Sequence, residues 1–137
     1  MELGETVVLN GRKITAIPAN HVVPAVGYQL DSGNASLVFS GDTTTCDALW
    51  EVVNKIKNLR YLVIETAFSN SEKDLALISK HLCPSMLAVE LAKFKLEAEV
   101  FITHLKPGEL ELTMRQVEDC VRGLRPKMLL NNQEFEF

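Results

Sequence analysis

Histidine is scarce in this sequence: of 137 residues only three are histidine, His21, His81 and His104, and no two stand close together. A metal site built from neighbouring histidines on one short segment is therefore excluded. The three cysteines, Cys46, Cys83 and Cys120, are odd in number and lack the paired CxxC spacing of zinc or redox motifs. They read as reduced thiols packed singly into a core. Basic excess is missing too. The formal net charge is -4 and the pI about 5.4, so the chain carries no electrostatic footprint for nucleic acid. No apolar run approaches the roughly 20 residues that span a bilayer, and no secretory leader opens the sequence. A cytoplasmic protein without a membrane partner is expected. What remains, 47% hydrophobic and 23% charged residues, is ordinary for one soluble domain, expected over residues 1–137.

Along the chain, Glu5 to Leu9 and Arg12 to Ile17 flank Asn10-Gly11, a two-residue hairpin signal. Val22 to Leu30 continues as extended chain, and Asp31 to Asn34 turns into a short buried strand, Leu37 to Phe39. The first third is thus an antiparallel β segment. The period then changes. Leu49, Val52, Val53 and Ile56 recur at helical spacing and predict a helix over 47–57. Tyr61 to Ile64 reads as a buried strand. A short helix is expected over 71–80 with Leu75, Leu77 and Ile78 inward, and another from Pro84, since proline suits a first helical turn. Val100 to Ile102 is a further buried strand. Thr113-Met-Arg-Gln116 fits a capping box opening a last helix, and Lys127 to Leu130 reads as a final strand. Asn131 to Phe137 lacks periodicity and is expected to fray. Strands alternating with helices predict an α/β domain, with a mixed sheet and helices on one face.

In such sheets ligands bind beyond the carboxyl ends of the strands. Asp42, Glu65 and His104 each follow an apolar strand, and His21 lies in an extended stretch able to reach the same edge. Asp42 follows Ser40-Gly41, where glycine permits a tight turn, and precedes three threonines able to hydrogen-bond its carboxylate. Taken alone, Asp42 reads equally as a turn or helix-cap residue, and a lone histidine at a strand end as a structural one. Together, imidazoles and a carboxylate at element ends suit a hydrolytic site holding Zn, Mn or Fe.

Five stretches occur in order: His21-Val-Val-Pro-Ala-Val-Gly-Tyr28, Phe39-Ser-Gly-Asp-Thr43, Ile64-Glu-Thr-Ala-Phe68, His81-Leu-Cys-Pro84 and Phe101-Ile-Thr-His-Leu-Lys-Pro107. This series resembles the C-terminal half of a metallo-β-lactamase-fold phosphodiesterase, closest to class II cyclic-nucleotide phosphodiesterases, with ribonuclease Z a relative. The resemblance implies half of an αββα sandwich. It implies His21, Asp42 and His104 as metal ligands, Asp42 bridging two divalent ions. It implies His81 as the histidine that assists the leaving oxygen, and Glu65 as an acidic residue that orients a neighbour. The implied reaction is two-metal hydrolysis of a phosphodiester.

The family's His-x-His-x-Asp-His motif is absent from these 137 residues. One histidine and a shared aspartate per ion fall short of the three protein ligands usual for catalytic zinc. This chain alone is expected to bind metal partially or not at all and to be hydrolytically inactive. An uncovered apolar sheet face is expected to drive self-association or pairing with an N-terminal half. The short connection from Tyr28 to Gly41 and the acidic pI favour a small phosphodiester, such as a 3′,5′-cyclic nucleotide, over transfer RNA. The alternatives are a ribonuclease Z-like fragment acting on transfer RNA and a degenerate, non-catalytic domain used for association.

Overall fold

The computed structural model describes residues 1–137. Seven strands form one sheet in sequence order: β1 (Thr6–Leu9), β2 (Arg12–Pro18), β3 (Val26–Asp31), β4 (Ser36–Phe39), β5 (Leu59–Glu65), β6 (Glu99–Thr103) and β7 (Lys127–Met128). Strands β1 to β4 pair antiparallel, while β4 to β7 pair parallel. The parallel pairs need crossovers, supplied by helices α1 (Asp47–Val53), α2 (Lys73–Ser79), α3 (Pro84–Leu91) and α4 (Leu110–Cys120). No helix is long and apolar enough to cross a membrane.

Period-two alternation divides the two faces of the sheet. Ile17, Val38, Leu62, Ile64, Val100 and Ile102 join one buried cluster with helix residues such as Leu49, Leu87 and Val117. The intervening Leu37, Val63 and Phe101 point the other way, into a small cluster that no helix covers. The helices therefore lie on one face, as expected. The tail departs from expectation. It has no regular secondary structure, yet Phe135 and Phe137 pack on Tyr61 with ring centroids 4.9 and 6.2 Å apart, because apolar rings cover the bare face better than they face water.

Three helix expectations are corrected. The first helix stops at Val53 because the Asn54 side chain is clasped by the third helix's end, donating to the Lys93 carbonyl and accepting the Lys95 N–H. In α2, Leu75, Leu77 and Ile78 are exposed and only Ala76 is buried. The phase of α2 is fixed from its end, where Lys80 turns left-handed (φ 55°) and the His81 N–H bonds the Ala76 carbonyl. In α4, Thr113 sits inside the helix and not at its cap, and Gln116 accepts the Asn70 N–H instead of reaching back. The last strand is also shorter, Lys127–Met128.

Strands β2, β4, β5 and β6 all run the same way, so their carboxyl ends gather at one edge. Pro18 leads there to His21, Phe39 to Asp42, Thr103 to His104, and β5 ends there in Glu65 itself.

Candidate metal centre

Backbone close packing sets the positions of His21 and Asp42. A Cβ on Gly27 would meet the Phe39 carbonyl oxygen at 2.7 Å and that of Ser40 at 2.8 Å, so only glycine lets β3 approach the end of β4 this closely. Gly41 is left-handed (φ 62°) with its Cβ direction blocked 2.9 Å away by the Val26 carbonyl. This turn delivers Asp42 to the edge, half-exposed. Asn20 then ties the His21 segment to the Asp42 loop. Its N–H donates to Thr43 Oγ1, its carbonyl accepts the Thr44 N–H, and its Nδ2 donates to the Thr45 carbonyl.

The histidines are each oriented. His21 Nδ1 lies 3.0 Å from the Lys80 carbonyl. A carbonyl only accepts, so Nδ1 carries the proton and Nε2 is the nitrogen left to ligate. His81 Nδ1 lies 2.7 Å from Glu65 Oε1, an arrangement that fixes the ring. His104 adopts a left-handed conformation (φ 63°) at the end of β6, uncommon outside glycine although histidine tolerates it better than most residues. That turn brings its Nδ1 to 3.8 Å from Asp42 Oδ1. The His81 and His104 rings stack at 5.1 Å, and the His21 and His81 rings meet edge-on at 4.9 Å.

All five residues singled out from the sequence thus reach one rim. Donor atoms of Asp42, His81 and His104 lie within 4.8 Å of one another. This set fits one divalent cation: a hard carboxylate and two imidazoles, matching the three protein ligands of a catalytic zinc site. It differs from the resemblance in membership, since His81 stands in the group and His21 stands beside it. For two ions the chain supplies too few donors.

Glu65 underlies this arrangement. Its side chain is 1% exposed, and it accepts the backbone N–H groups of Thr43, Ala67 and Leu82 besides holding His81. Burial pushes its pKa up to about 7 against those donors, while burial holds His81 below its ordinary value, with His21 adding to the effect. The threonines do not brace Asp42 as anticipated. Thr43 Oγ1 donates to the Thr44 carbonyl, and its backbone N–H serves Glu65. Nor does Asp42 cap a helix, since Cys46 precedes α1. Asn20 and Lys80 were not legible from sequence, because their contacts bridge 23 to 60 residues.

No family model and no curated protein matches this sequence. Solved structures do match. The metallo-β-lactamase fold protein YhfI from Bacillus subtilis is similar over 94% of this chain and 51% of its own, at TM-score 0.73 and 15% identity. The metallo hydrolase Igni18 from Ignicoccus hospitalis is similar over 100% of this chain and 60% of its own, at TM-score 0.66 and 16% identity. Human tRNase Z, short form, is similar over 74% and 38%, at TM-score 0.60 and 17% identity. The chain spans between 31% and 60% of the length of these and other matched solved structures. With its single mixed sheet covered by helices on one side, the chain has the fold of one half of a metallo-β-lactamase αββα sandwich.

Proposed function

We propose that this chain forms the metal-binding rim of a divalent-metal-dependent hydrolase acting on a small phosphodiester such as a 3′,5′-cyclic nucleotide, completed by a complementary half-sandwich on its open sheet face. The observation that carries the reading is the convergence of Asp42, His81 and His104 donor atoms within 4.8 Å beyond the carboxyl ends of parallel strands. Metallo hydrolases among the matched structures support the reaction class. The open face supports the second half: eight apolar residues, among them Leu30, Leu37, Phe39 and Val63, line a groove of about 460 Å³.

When bound, a divalent cation would lower the pKa of a coordinated water and polarise the phosphoryl oxygens. The chain's own residues do the rest. Asp42 and His104 would supply ligand atoms, with the free Nε2 of His21 beside them, while His81, although its donor atom lies in the same 4.8 Å group, is turned through Nδ1 to Glu65 and kept for the leaving group. His81, gripped through Nδ1 by Glu65, presents Nε2 to the departing alkoxide and supplies its proton. Glu65 meanwhile fixes the backbone after β4, after β5 and before α3, so donors from three segments keep one geometry.

Isothermal titration with Zn²⁺ tests the reading. About one ion per chain is expected, with affinity falling at least tenfold in Asp42→Ala or His104→Ala, in line with the loss of one of three ligands. Tight binding of two ions per chain, or no effect of either substitution, would overturn it. The isolated chain is expected to show no turnover of bis(p-nitrophenyl) phosphate. In the completed protein, His81→Gln should keep its metal content and slow hydrolysis of alkyl diesters far more than of p-nitrophenyl diesters, whose leaving group needs no proton. Loss of metal instead would make His81 a ligand.

A further inference from the structure

Beside the donor group opens a cleft of about 920 Å³, with His21 and Asp42 in its lining together with Val22, Val23, Pro24 and Tyr28. Val22 and Val23 are 57% and 59% exposed, although apolar surface is available on the neighbouring sheet face. The loop holds them out. His21 before them is pinned to the Lys80 carbonyl, Asn20 is pinned to the Asp42 loop, and Gly27 after them is seated against the β4 backbone. Pro24 fixes one more dihedral between these anchors. Two branched apolar side chains are thus kept in water directly beside the metal-ligand positions, where a bound ester group would cover them.

Charge decides what that group can be. The charged groups of the residues lining the cleft besides His21 are the carboxylates of Glu2 and Asp42 and the α-ammonium of Met1, and neither lysine nor arginine lines it. The nearby ammonium of Lys80 is turned to Asn20 Oδ1, 3.3 Å away. A second phosphate seated here would face two carboxylates with the Met1 α-ammonium as the one cation of the lining, and no guanidinium or lysine side chain is aimed at it. An uncharged apolar group instead gains contact with the valines, Pro24 and the Tyr28 ring.

We propose that this cleft is a subsite for an uncharged, apolar ester substituent of the phosphodiester. The substrate is then a monoanionic diester carrying a neutral flat or aliphatic group, and a nucleic-acid backbone or a substrate with further phosphates is disfavoured. The proposal rests on the phosphodiester reading of the metal site given above.

The test uses the full 137-residue chain loaded with Zn²⁺ and follows valine methyl resonances by NMR during titration with dimethyl phosphate and with diphenyl phosphate. Diphenyl phosphate is expected to bind at least fivefold more tightly, with the largest shifts at Val22 and Val23. Val23→Asn, a neutral change at an exposed position, should bring the ratio of the two affinities close to one, whereas Ile78→Asn, exposed on α2, should leave the ratio as it is. Equal affinity of the two diesters, or a ratio indifferent to Val23→Asn, overturns the subsite and leaves the phosphodiester reading standing. Failure of both diesters to bind a chain that has taken up Zn²⁺ overturns that reading, and the subsite with it. Diphenyl phosphate binding that is as tight without Zn²⁺ as with it marks non-specific apolar adhesion and also overturns the subsite.

Discussion

Glu65 and His81 face each other across 2.7 Å, and their opposed shifts give this pair a pH signature. In the unfolded chain glutamate titrates near 4.5 and histidine near 6.5. In the folded chain Glu65 keeps its proton up to about 7, and His81 gains one only below its ordinary value. Just below pH 6.5 the unfolded chain therefore holds the pair's proton on the histidine and the folded chain holds it on Glu65, so the two largely compensate. From 6.5 to about 7 the folded state holds the extra proton, so stability falls as pH rises. Glu65→Gln removes the compensation. The unfolded histidine still takes up a proton near 6.5 while folded His81 takes one up only below that, so the variant should lose stability as pH first falls below 6.5. It should also be weaker at pH 7 by about 2 kcal/mol, because one acceptor oxygen replaces two and leaves buried N–H groups without partners. Urea unfolding of both proteins at pH 5, 6 and 7 checks this. An unchanged profile in the variant would mean the pair does not share its proton as described. The sequence displayed the polar members of this site because each follows an apolar strand or sits in an ordered series of short stretches. It did not display Asn20 or Lys80, whose work is done by one amide and one carbonyl meeting residues far along the chain.

At the scale of elements, strands were legible and helix phases were not. The unbroken apolar runs of β4, β5 and β6 name the strands, since such a run buries residues on both sides of a sheet. Helix α2 is different. Leu75, Leu77 and Ile78 suggested an inward stripe, but a two-turn helix has little say in its own rotation when its last turn is anchored through His81 to Glu65. Helix α1 likewise borrows its start from another element. Cys46 offers no side-chain cap, and buried Glu90 of α3 accepts both the Cys46 N–H and the Trp50 Nε1–H. The junction of β3 with β4 gives the sharpest prediction at this scale. In Gly27→Ala the new methyl would stand 2.7 and 2.8 Å from two backbone oxygens, so β4 and the Asp42 turn must shift. Overpacking of this kind costs about 1–3 kcal/mol. Thermal unfolding should show that loss, and Zn²⁺ affinity should fall with it because Asp42 moves while His104 does not. Gly33→Ala, at an open turn with nothing within 4 Å of its Cβ direction, should lose some stability from its positive φ yet keep its Zn²⁺ affinity.

For the whole molecule, the division of the sheet into a helix-covered face and an open one fixes how it should behave in solution. Leu30, Leu37, Phe39 and Val63 line an apolar groove, and the chain's own Phe135 shields part of it by packing on Tyr61 and Phe101 at 4.9 and 5.1 Å. The expected fraying of the tail overlooked this, because aperiodic sequence says nothing about what two phenylalanines meet once a bare sheet is present. Apolar area leaving water contributes about 25 cal/mol per Å², so covering this face favours association. Without its complementary half, the chain should pair with a second copy through this face in a concentration-dependent way, measurable by sedimentation. Phe39→Asp, a charge in the middle of the groove, should weaken pairing about tenfold or more, since an unpaired carboxylate would be buried on association. Phe135→Ala with Phe137→Ala should act in the opposite direction, exposing Tyr61 and Phe101 and strengthening both self-association and binding of an apolar dye. A chain that stays monomeric at high concentration with the tail removed would show that the face does not seek a second sheet, and the completed-sandwich proposal would lose its physical basis.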